Sequence, residues 1–86
     1  MKISLTPTQF STLEEKLSVT QGITLTQTAT DSGTLLTHDV TLSYSYDGVG
    51  VLDVEVIAKH TVLARFASEA TIEEHINTLF GQYLAP

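Results

Sequence analysis

Residues 23–58 decide the fold of this chain, and they run ITLTQTATDSGTLLTHDVTLSYSYDGVGVLDVEVIA. Apolar and polar residues alternate along most of this stretch, and a period of two is typical of strands with one buried and one exposed face. Asp31-Ser32-Gly33 and Asp47-Gly48 interrupt the alternation with residues that favour turns. The stretch therefore predicts an antiparallel meander of three strands.

The parity of the apolar residues predicts which side of each strand is buried. Odd-numbered residues, among them Ile23 and Leu25, form the apolar side of the first strand. In the other two strands the apolar side is even-numbered, and it comprises Leu36, His38, Val40, Leu42, Tyr44, Tyr46, Leu52, Val54, Val56 and Ala58. A slip of one residue would turn any of these strands over, so the pattern specifies the pairing register.

The same parity predicts the two connections. Residues that pair across antiparallel strands point to the same face. If the buried residues have odd numbers in one strand and even numbers in the next, the connection must therefore contain an even number of residues. Ser32-Gly33 meets this condition as a two-residue turn. Between two strands whose buried residues both have even numbers, the connection must contain an odd number of residues. A three-residue loop of Tyr46-Asp47-Gly48 meets this condition, and it moves Tyr46 out of the buried set.

The N-terminal segment carries the signals of a helix start. Thr6 can cap the helix, Pro7 suits its first position, and Gln9 completes a capping box. Leu5 and Phe10 have the spacing of a hydrophobic staple. We therefore predict a helix from about Pro7 to Thr20.

The C-terminal segment predicts a second amphipathic helix. Thr71-Ile72-Glu73-Glu74 has the pattern of a capping box, and Ser68 is an alternative cap one turn earlier. Residues 60–67 fit either a short strand or a helical turn capped by Thr61, and we favour the short helix or turn. Phe66 is placed in the core in either case.

An apolar sheet face and two amphipathic helices bury each other best in two layers. The predicted fold is a two-layer α+β domain in the order α-β-β-β-α, with both helices on one face of the three-stranded antiparallel sheet. With 86 residues, the chain is expected to form a single small α+β domain over residues 1–86.

Composition excludes several classes of function. The chain has no cysteine, so it has neither disulfides nor thiolate chemistry. Its formal net charge of -6 disfavours nucleic acid and anionic membrane surfaces as partners. No segment approaches 18 continuous apolar residues and no signal peptide is evident, so we expect no membrane partner and a cytoplasmic location.

One polar pair is predicted on the buried side of the sheet. In the predicted register His38 lies opposite Gln27, and both interrupt an apolar face. Buried polar groups are usually hydrogen-bonded, so a structural pair is the simplest interpretation. The alternative is a small-molecule pocket in which Gln27 and His38 supply donor and acceptor. A catalytic histidine would need a partner that the sequence does not identify.

Three carboxylates are predicted on the outer face of the sheet. Asp39 is expected opposite Glu55, with Asp53 beside them. A solvated face is the simplest interpretation, and a weak cation site or a patch for a basic partner is the alternative. No calcium-loop pattern, metal-ligand spacing or phosphate-binding glycine loop occurs, so neither a metal nor a cofactor is expected.

The sequence contains no catalytic constellation, so we do not expect an enzyme. The leading prediction is a non-enzymatic protein-interaction module, with a homodimer as its first candidate assembly, because a three-stranded sheet leaves two edges open to pairing. Self-association is expected through a sheet edge or the outer sheet face. The alternative is a small-molecule binding domain that uses Gln27 and His38.

Overall fold

The computed structural model describes residues 1–84. In chain order its elements are β1 (Lys2–Ser4), α1 (Pro7–Ser18), β2 (Thr24–Ala29), β3 (Ser32–Leu36), β4 (Val40–Tyr46), β5 (Val51–Lys59), α2 (Val62–Phe66) and α3 (Glu69–Leu84). The strands form one antiparallel sheet in the order β1-β5-β4-β3-β2. The predicted α+β class with an antiparallel sheet is confirmed. The α-β-β-β-α order is wrong in detail, because residues 1–84 form five strands and three helices.

The predicted start of α1 is confirmed. Thr6 Oγ1 accepts a hydrogen bond from the Gln9 backbone N–H at 3.1 Å, and Gln9 Oε1 accepts one from the Thr6 N–H at 2.9 Å. Leu5 and Phe10 are both buried, as a hydrophobic staple requires. The helix ends at Ser18, two residues earlier than predicted.

The first hairpin turns earlier than the parity of its residues predicted. Ser32 and Gly33 belong to β3, and the turn comprises residues 30–31. Leu25 therefore pairs with Leu35, and the register shifts between Gln27 and Ala29. The predicted two-residue turn at Ser32-Gly33 is wrong: the turn at residues 30–31 pairs Ala29 with Ser32, and the bulge in β2 then brings odd-numbered residues of β2 opposite odd-numbered residues of β3.

The predicted long second strand is in fact two strands, β3 and β4. Thr37 and Val40 close the turn between them: the Thr37 N–H donates to the Val40 carbonyl at 2.9 Å, and the Val40 N–H donates to Thr37 Oγ1 at 3.1 Å. Leu35 then pairs with Leu42 on the buried face, while Leu36 points outward. Leu35 is 1% exposed and Leu36 is 46% exposed, which reverses the prediction for this pair.

The number of residues between the last paired positions of β4 and β5 is odd, as predicted, but it is larger than three. Tyr46 pairs with Leu52, so five residues lie between them. Tyr46 stays in the core, where its ring stacks on Phe10 at 4.3 Å between centroids and its hydroxyl donates to the Leu5 carbonyl at 2.8 Å. The prediction that Tyr46 becomes a loop residue is therefore wrong.

Asp47 organises this loop. Its Oδ1 accepts hydrogen bonds from the backbone N–H groups of Val49, Gly50 and Val51 at 2.8, 2.8 and 3.0 Å. These bonds lower the pKa of Asp47, because they stabilise the charged carboxylate.

The edge strand β1 was not predicted. Lys2 pairs with Asp53, and Ser4 pairs with Val51, so β1 covers only the first part of β5. Three residues are too few for a periodic pattern to be recognised, and the segment forms a strand because β5 offers it an edge.

The C-terminal helices confirm two predictions and correct two. Thr61 caps α2 through a 3.1 Å hydrogen bond from the Ala64 N–H, as favoured for residues 60–67. The helix α3 begins at Glu69, and Ser68 Oγ accepts from the Thr71 N–H at 3.2 Å, so the alternative cap at Ser68 is confirmed and the capping box at Thr71 is wrong. The side chain of Phe66 is exposed, not buried in the core.

The helices α1 and α3 cover one face of the sheet and share a single core with it. Its buried residues are Leu5, Phe10, Leu13, Leu17, Leu35, Val40, Leu42, Tyr44, Tyr46, Leu52, Val54, Ala64, Ile72, Ile76 and Phe80. No helix within residues 1–84 has the length and apolar character needed to cross a membrane.

Candidate functional site

The two residues of the predicted polar pair lie apart. Gln27 is exposed and pairs with Gly33, and its Nε2 donates to the Thr30 carbonyl at 2.8 Å, which closes the β2–β3 turn. His38 is exposed at the tip of the β3–β4 turn. The prediction that Gln27 and His38 lie opposite each other is wrong, because the turn at residues 37–39 removes His38 from the sheet. Gln27 and His38 share no pocket in the described part of the chain, and a ligand-binding role for either residue stays a prediction.

The three predicted carboxylates also separate. Asp53 and Glu55 share the exposed face of β5, where they pair with Ser45 and Ser43 of β4. Asp39 lies in the β3–β4 turn, so its predicted position opposite Glu55 is wrong. No group of acidic or histidine residues within the described part of the chain could hold a metal ion. The cation or partner patch of Asp39, Asp53 and Glu55 therefore does not form as one site.

Asp39 instead anchors its turn to the start of α2. Its Oδ1 accepts from Thr61 Oγ1 at 3.1 Å, and its backbone carbonyl accepts from the His60 N–H at 2.7 Å. The imidazole of His60 lies 2.6 Å from the hydroxyl of Thr41, through Nε2. A hydroxyl and an imidazole are two parts of a nucleophilic site, but among residues 1–84 no carboxylate is hydrogen-bonded to the His60 ring to orient it.

The interior of the fold leaves no room for a ligand beneath α1. The space between α1 and the sheet amounts to about 10 Å³, which is the size of one water molecule. Tyr44 borders this space, and its hydroxyl donates to Glu14 Oε2 at 3.1 Å. Burial raises the pKa of Tyr44, and this hydrogen bond raises it further. Tyr44 is therefore a neutral structural donor near pH 7.

The helix α2 carries a group of exposed apolar side chains. Val62 is 67% exposed, Leu63 is 85% exposed and Phe66 is 86% exposed, so only Ala64 of this helix is buried. We call Val62, Leu63 and Phe66 the α2 apolar face. Large apolar side chains grouped in this way mark interaction surfaces.

A groove of 360 Å³ lies beside this face, between α2, α3 and the start of β4. We call it the α2 groove. Its lining is mainly apolar and comprises Asp39, Val40, Leu63, Ala64, Ala67, Thr71, Ile72 and His75. Leu63 belongs to both features, so the α2 apolar face and the α2 groove form one continuous surface.

A second and larger cleft of 460 Å³ lies between β5 and α3, and we call it the β5 cleft. Its apolar lining comprises the side chains of Met1, Val54, Val56, Ile72 and Ile76. Its charged lining comprises Lys59, Glu69 and Glu73, and Met1 adds the N-terminal ammonium group, whereas Glu55 borders the cleft from the strand edge with its side chain on the exposed face of β5. The sequence had drawn attention to Glu55 alone, because Glu69 and Glu73 reach this place only through the packing of α3 on the sheet.

Comparisons with protein-family models, with curated proteins and with solved structures find no match to this chain.

Proposed function

We propose that this chain is a non-enzymatic interaction module that self-associates through the α2 apolar face. The observation that carries the proposal is the exposure of three large apolar side chains on a helix of five residues. Isolated exposed apolar residues are common on protein surfaces, but a contiguous group is unfavourable in water and is stabilised when a partner covers it.

A second copy of the chain fits this surface because the surface carries both a projection and a recess. The Phe66 ring projects into solvent, and the α2 groove beside it is larger than an aromatic side chain. A two-fold axis next to α2 would let each Phe66 enter the groove of the other copy. Such an isologous contact uses the same patch twice, as most homodimers do.

The charges around α2 also favour a second copy. The chain carries a formal net charge of -6, so most of its surface repels another copy. Arg65 belongs to α2, and Lys59 lies close to it, since Arg65 Nε donates to the Lys59 carbonyl at 3.5 Å. Asp39 lines the α2 groove, so this part of the surface carries charges of both signs, and two copies can approach here with less repulsion than elsewhere.

The sequence had placed self-association at a sheet edge or on the outer sheet face, and both routes remain open to test. β2 is an edge strand with no charged residue between Thr24 and Ala29, and charge is one of the features that protect edges from pairing. Leu36 and Ile57 are exposed apolar residues of the strands. The experiment below therefore separates the α2 apolar face from these alternatives.

Light scattering over a dilution series from about 1 μM to about 1 mM tests the proposal. We expect the wild-type mass to rise from one chain to two, and Phe66→Ser and Leu63→Ser to remain monomeric. Val19→Ser is the matched control, because Val19 is 81% exposed and lies after α1. A monomeric wild type at the highest concentration would contradict the proposal, and so would a dimer that Phe66→Ser leaves intact.

No specific observation favours the small-molecule alternative, since Gln27 and His38 do not share a pocket. The cytoplasmic location stays a part of the proposal.

A further inference from the structure

The loop between β4 and β5 contains an aspartate that is followed by glycine. Asp47 precedes Gly48, whereas every other aspartate of the chain precedes serine or valine. Glycine has no side chain to hinder the approach to its backbone nitrogen, and the branched side chain of valine does hinder it. Asp47 is therefore the aspartate whose carboxyl group the next backbone nitrogen reaches most easily.

An aspartate next to glycine can react without an enzyme or a cofactor. The backbone nitrogen of Gly48 attacks the side-chain carboxyl carbon of Asp47, and a carbon–nitrogen bond forms. The hydroxyl of the protonated carboxyl group leaves as water, together with the proton of the attacking nitrogen. The product is a five-membered succinimide ring. Water then opens the ring at either carbonyl, which restores aspartate or gives isoaspartate, whose main chain runs through the former side chain.

The fold holds the Asp47 carboxylate away from this reaction. Its Oδ1 accepts hydrogen bonds of 2.8–3.0 Å from the backbone N–H groups of Val49, Gly50 and Val51. Attack makes the carboxyl carbon tetrahedral and draws it to the Gly48 nitrogen, and both changes displace Oδ1 from its three donors. The Asp47 N–H also donates to the Val51 carbonyl at 3.0 Å. The side chain and the backbone of Asp47 are therefore both tied to the loop.

The same hydrogen bonds keep the carboxyl group in its unreactive form. A hydroxyl group leaves far more readily than an oxide ion, so the loss of water requires a protonated carboxyl group. The three N–H donors lower the pKa of Asp47, because they stabilise the charged carboxylate. At neutral pH the closed loop therefore holds the group as a carboxylate.

Gly48 is required by the fold although it makes the peptide bond reactive. Its φ is 81°, in the left-handed region that favours glycine. Asp47, Gly48 and Val49 are all exposed, so water reaches the loop. The hydrogen bonds to Asp47, and not burial, are what protect this peptide bond.

We propose that Asp47-Gly48 is a site of isoaspartate formation that the folded β4–β5 loop keeps closed and that opening of this loop exposes. Isoaspartate lengthens the main chain by one atom and moves the free carboxylate to the α-carbon. The three N–H donors then lose their acceptor, so a loop that has been converted cannot close as before. None of these residues belongs to the α2 apolar face or lines the α2 groove.

The rate of isoaspartate formation at neutral pH, in the full chain and in a capped peptide of residues 44–52, tests the proposal. Proteolysis and reversed-phase chromatography separate the two forms, and electron-transfer fragmentation locates the modified residue. We expect the folded chain to convert at least about tenfold more slowly than the peptide, since a locally closed loop reacts only through its minor open state. In urea that unfolds the chain, conversion at Asp47 should match that of the peptide in the same urea.

Two substitutions at Val49 test the hydrogen bonds themselves. Val49→Pro removes one of the three N–H donors, whereas Val49→Ala keeps it. Val49 is 80% exposed, so neither substitution opens the core. Each variant is compared with a peptide of its own sequence, which removes any change in intrinsic reactivity. The ratio of peptide rate to chain rate should fall about threefold in Val49→Pro, the scale of one hydrogen bond, and stay at the wild-type value in Val49→Ala.

Three results would overturn the inference. The first is an equal rate in the folded wild-type chain and in the peptide, a comparison that holds whether or not Val49→Pro folds. The second is an unfolded chain that converts mainly at an aspartate other than Asp47. The third is an equal ratio in Val49→Ala and in a Val49→Pro variant that circular dichroism shows to be folded.

Discussion

Replacing Leu35 or Leu36 with alanine compares two neighbouring leucines that the structure places on opposite sides of the sheet. Leu35 is 1% exposed and pairs with Leu42 on the core side, whereas Leu36 is 46% exposed and pairs with Thr41. The alternation of the sequence predicts the reverse. The relative cost of Leu35→Ala and Leu36→Ala therefore tests the turn at residues 37–39, which sets the side on which each leucine lies.

The two substitutions should differ by about 2–3 kcal/mol in the free energy of unfolding. Leu35→Ala removes buried atoms and leaves a cavity, which costs about 3–4 kcal/mol in a close-packed core. Leu36→Ala removes atoms that are already about half exposed and leaves no cavity, so its cost is about 1 kcal/mol. A domain of this size has about 3–5 kcal/mol of stability in total, so Leu35→Ala should be close to unfolding.

Urea denaturation followed by far-ultraviolet circular dichroism measures this difference. With a slope of about 1 kcal/mol per molar urea, the midpoint for Leu35→Ala should lie about 2 M or more below that for Leu36→Ala. Leu35→Val and Leu36→Val give a milder pair if Leu35→Ala does not fold, with the same order expected. Equal costs, or a larger cost at Leu36, would refute the register described here.

Two further predictions concern the glycines and the β4–β5 loop. Gly33→Ala should destabilise the fold by about 1–3 kcal/mol, because a Cβ there would collide with the Thr26 carbonyl and lie 2.8 Å from the Tyr44 hydroxyl oxygen. Gly81→Ala has open space around it in α3 and should instead stabilise the fold by about 0.5–1 kcal/mol. Thermal unfolding compares the two variants, and equal effects on stability would contradict the close packing described around Gly33. For Asp47, the lowered pKa means that its carboxylate stabilises the fold above its ordinary pKa and that this contribution is lost as pH falls through the folded value. The stability gap between wild type and Asp47→Ala should therefore narrow as pH falls below the ordinary carboxyl pKa of about 4, and a gap independent of pH would contradict the hydrogen bonding of this loop.

Local signals were sufficient where one short motif contains all the information. The residues from Thr6 to Gln9 define the start of α1 without help from the rest of the fold, and both hydrogen bonds of the capping box form. Thr61 similarly caps α2. The odd number of residues between the paired positions of β4 and β5 was also predictable, because parity depends only on which side of each strand is apolar.

The turn between β3 and β4 could not be predicted in the same way. Leu36, His38 and Val40 continue the alternation across it, and no glycine or proline marks it. Because Leu35 and Leu36 are adjacent, either the odd-numbered or the even-numbered residues of β3 could form its buried side. The Gly33 position decides between them through tertiary packing, because the ring of Tyr44 lies over this glycine and a side chain there would collide.

The candidate surfaces depended still more on tertiary structure. Phe66 has the spacing of a core residue, but a helix of five residues turns only one small side, at Ala64, toward the core. Glu69 and Glu73 line the β5 cleft only because α3 packs beside β5. The sequence signal that was available is the cluster of apolar residues in VLARF, residues 62–66, which exceeds what so short a helix can bury.

Amide chemical shifts of α2, followed by heteronuclear NMR over a dilution series of the wild-type chain, test the self-association through the α2 apolar face most directly. We predict that the amides of Leu63 and Phe66 and those lining the α2 groove shift with concentration along a single two-state curve, while the amides of β2 and β5 do not. Shifts confined to a sheet edge, or none at concentrations up to about 1 mM, would contradict the proposed role of α2.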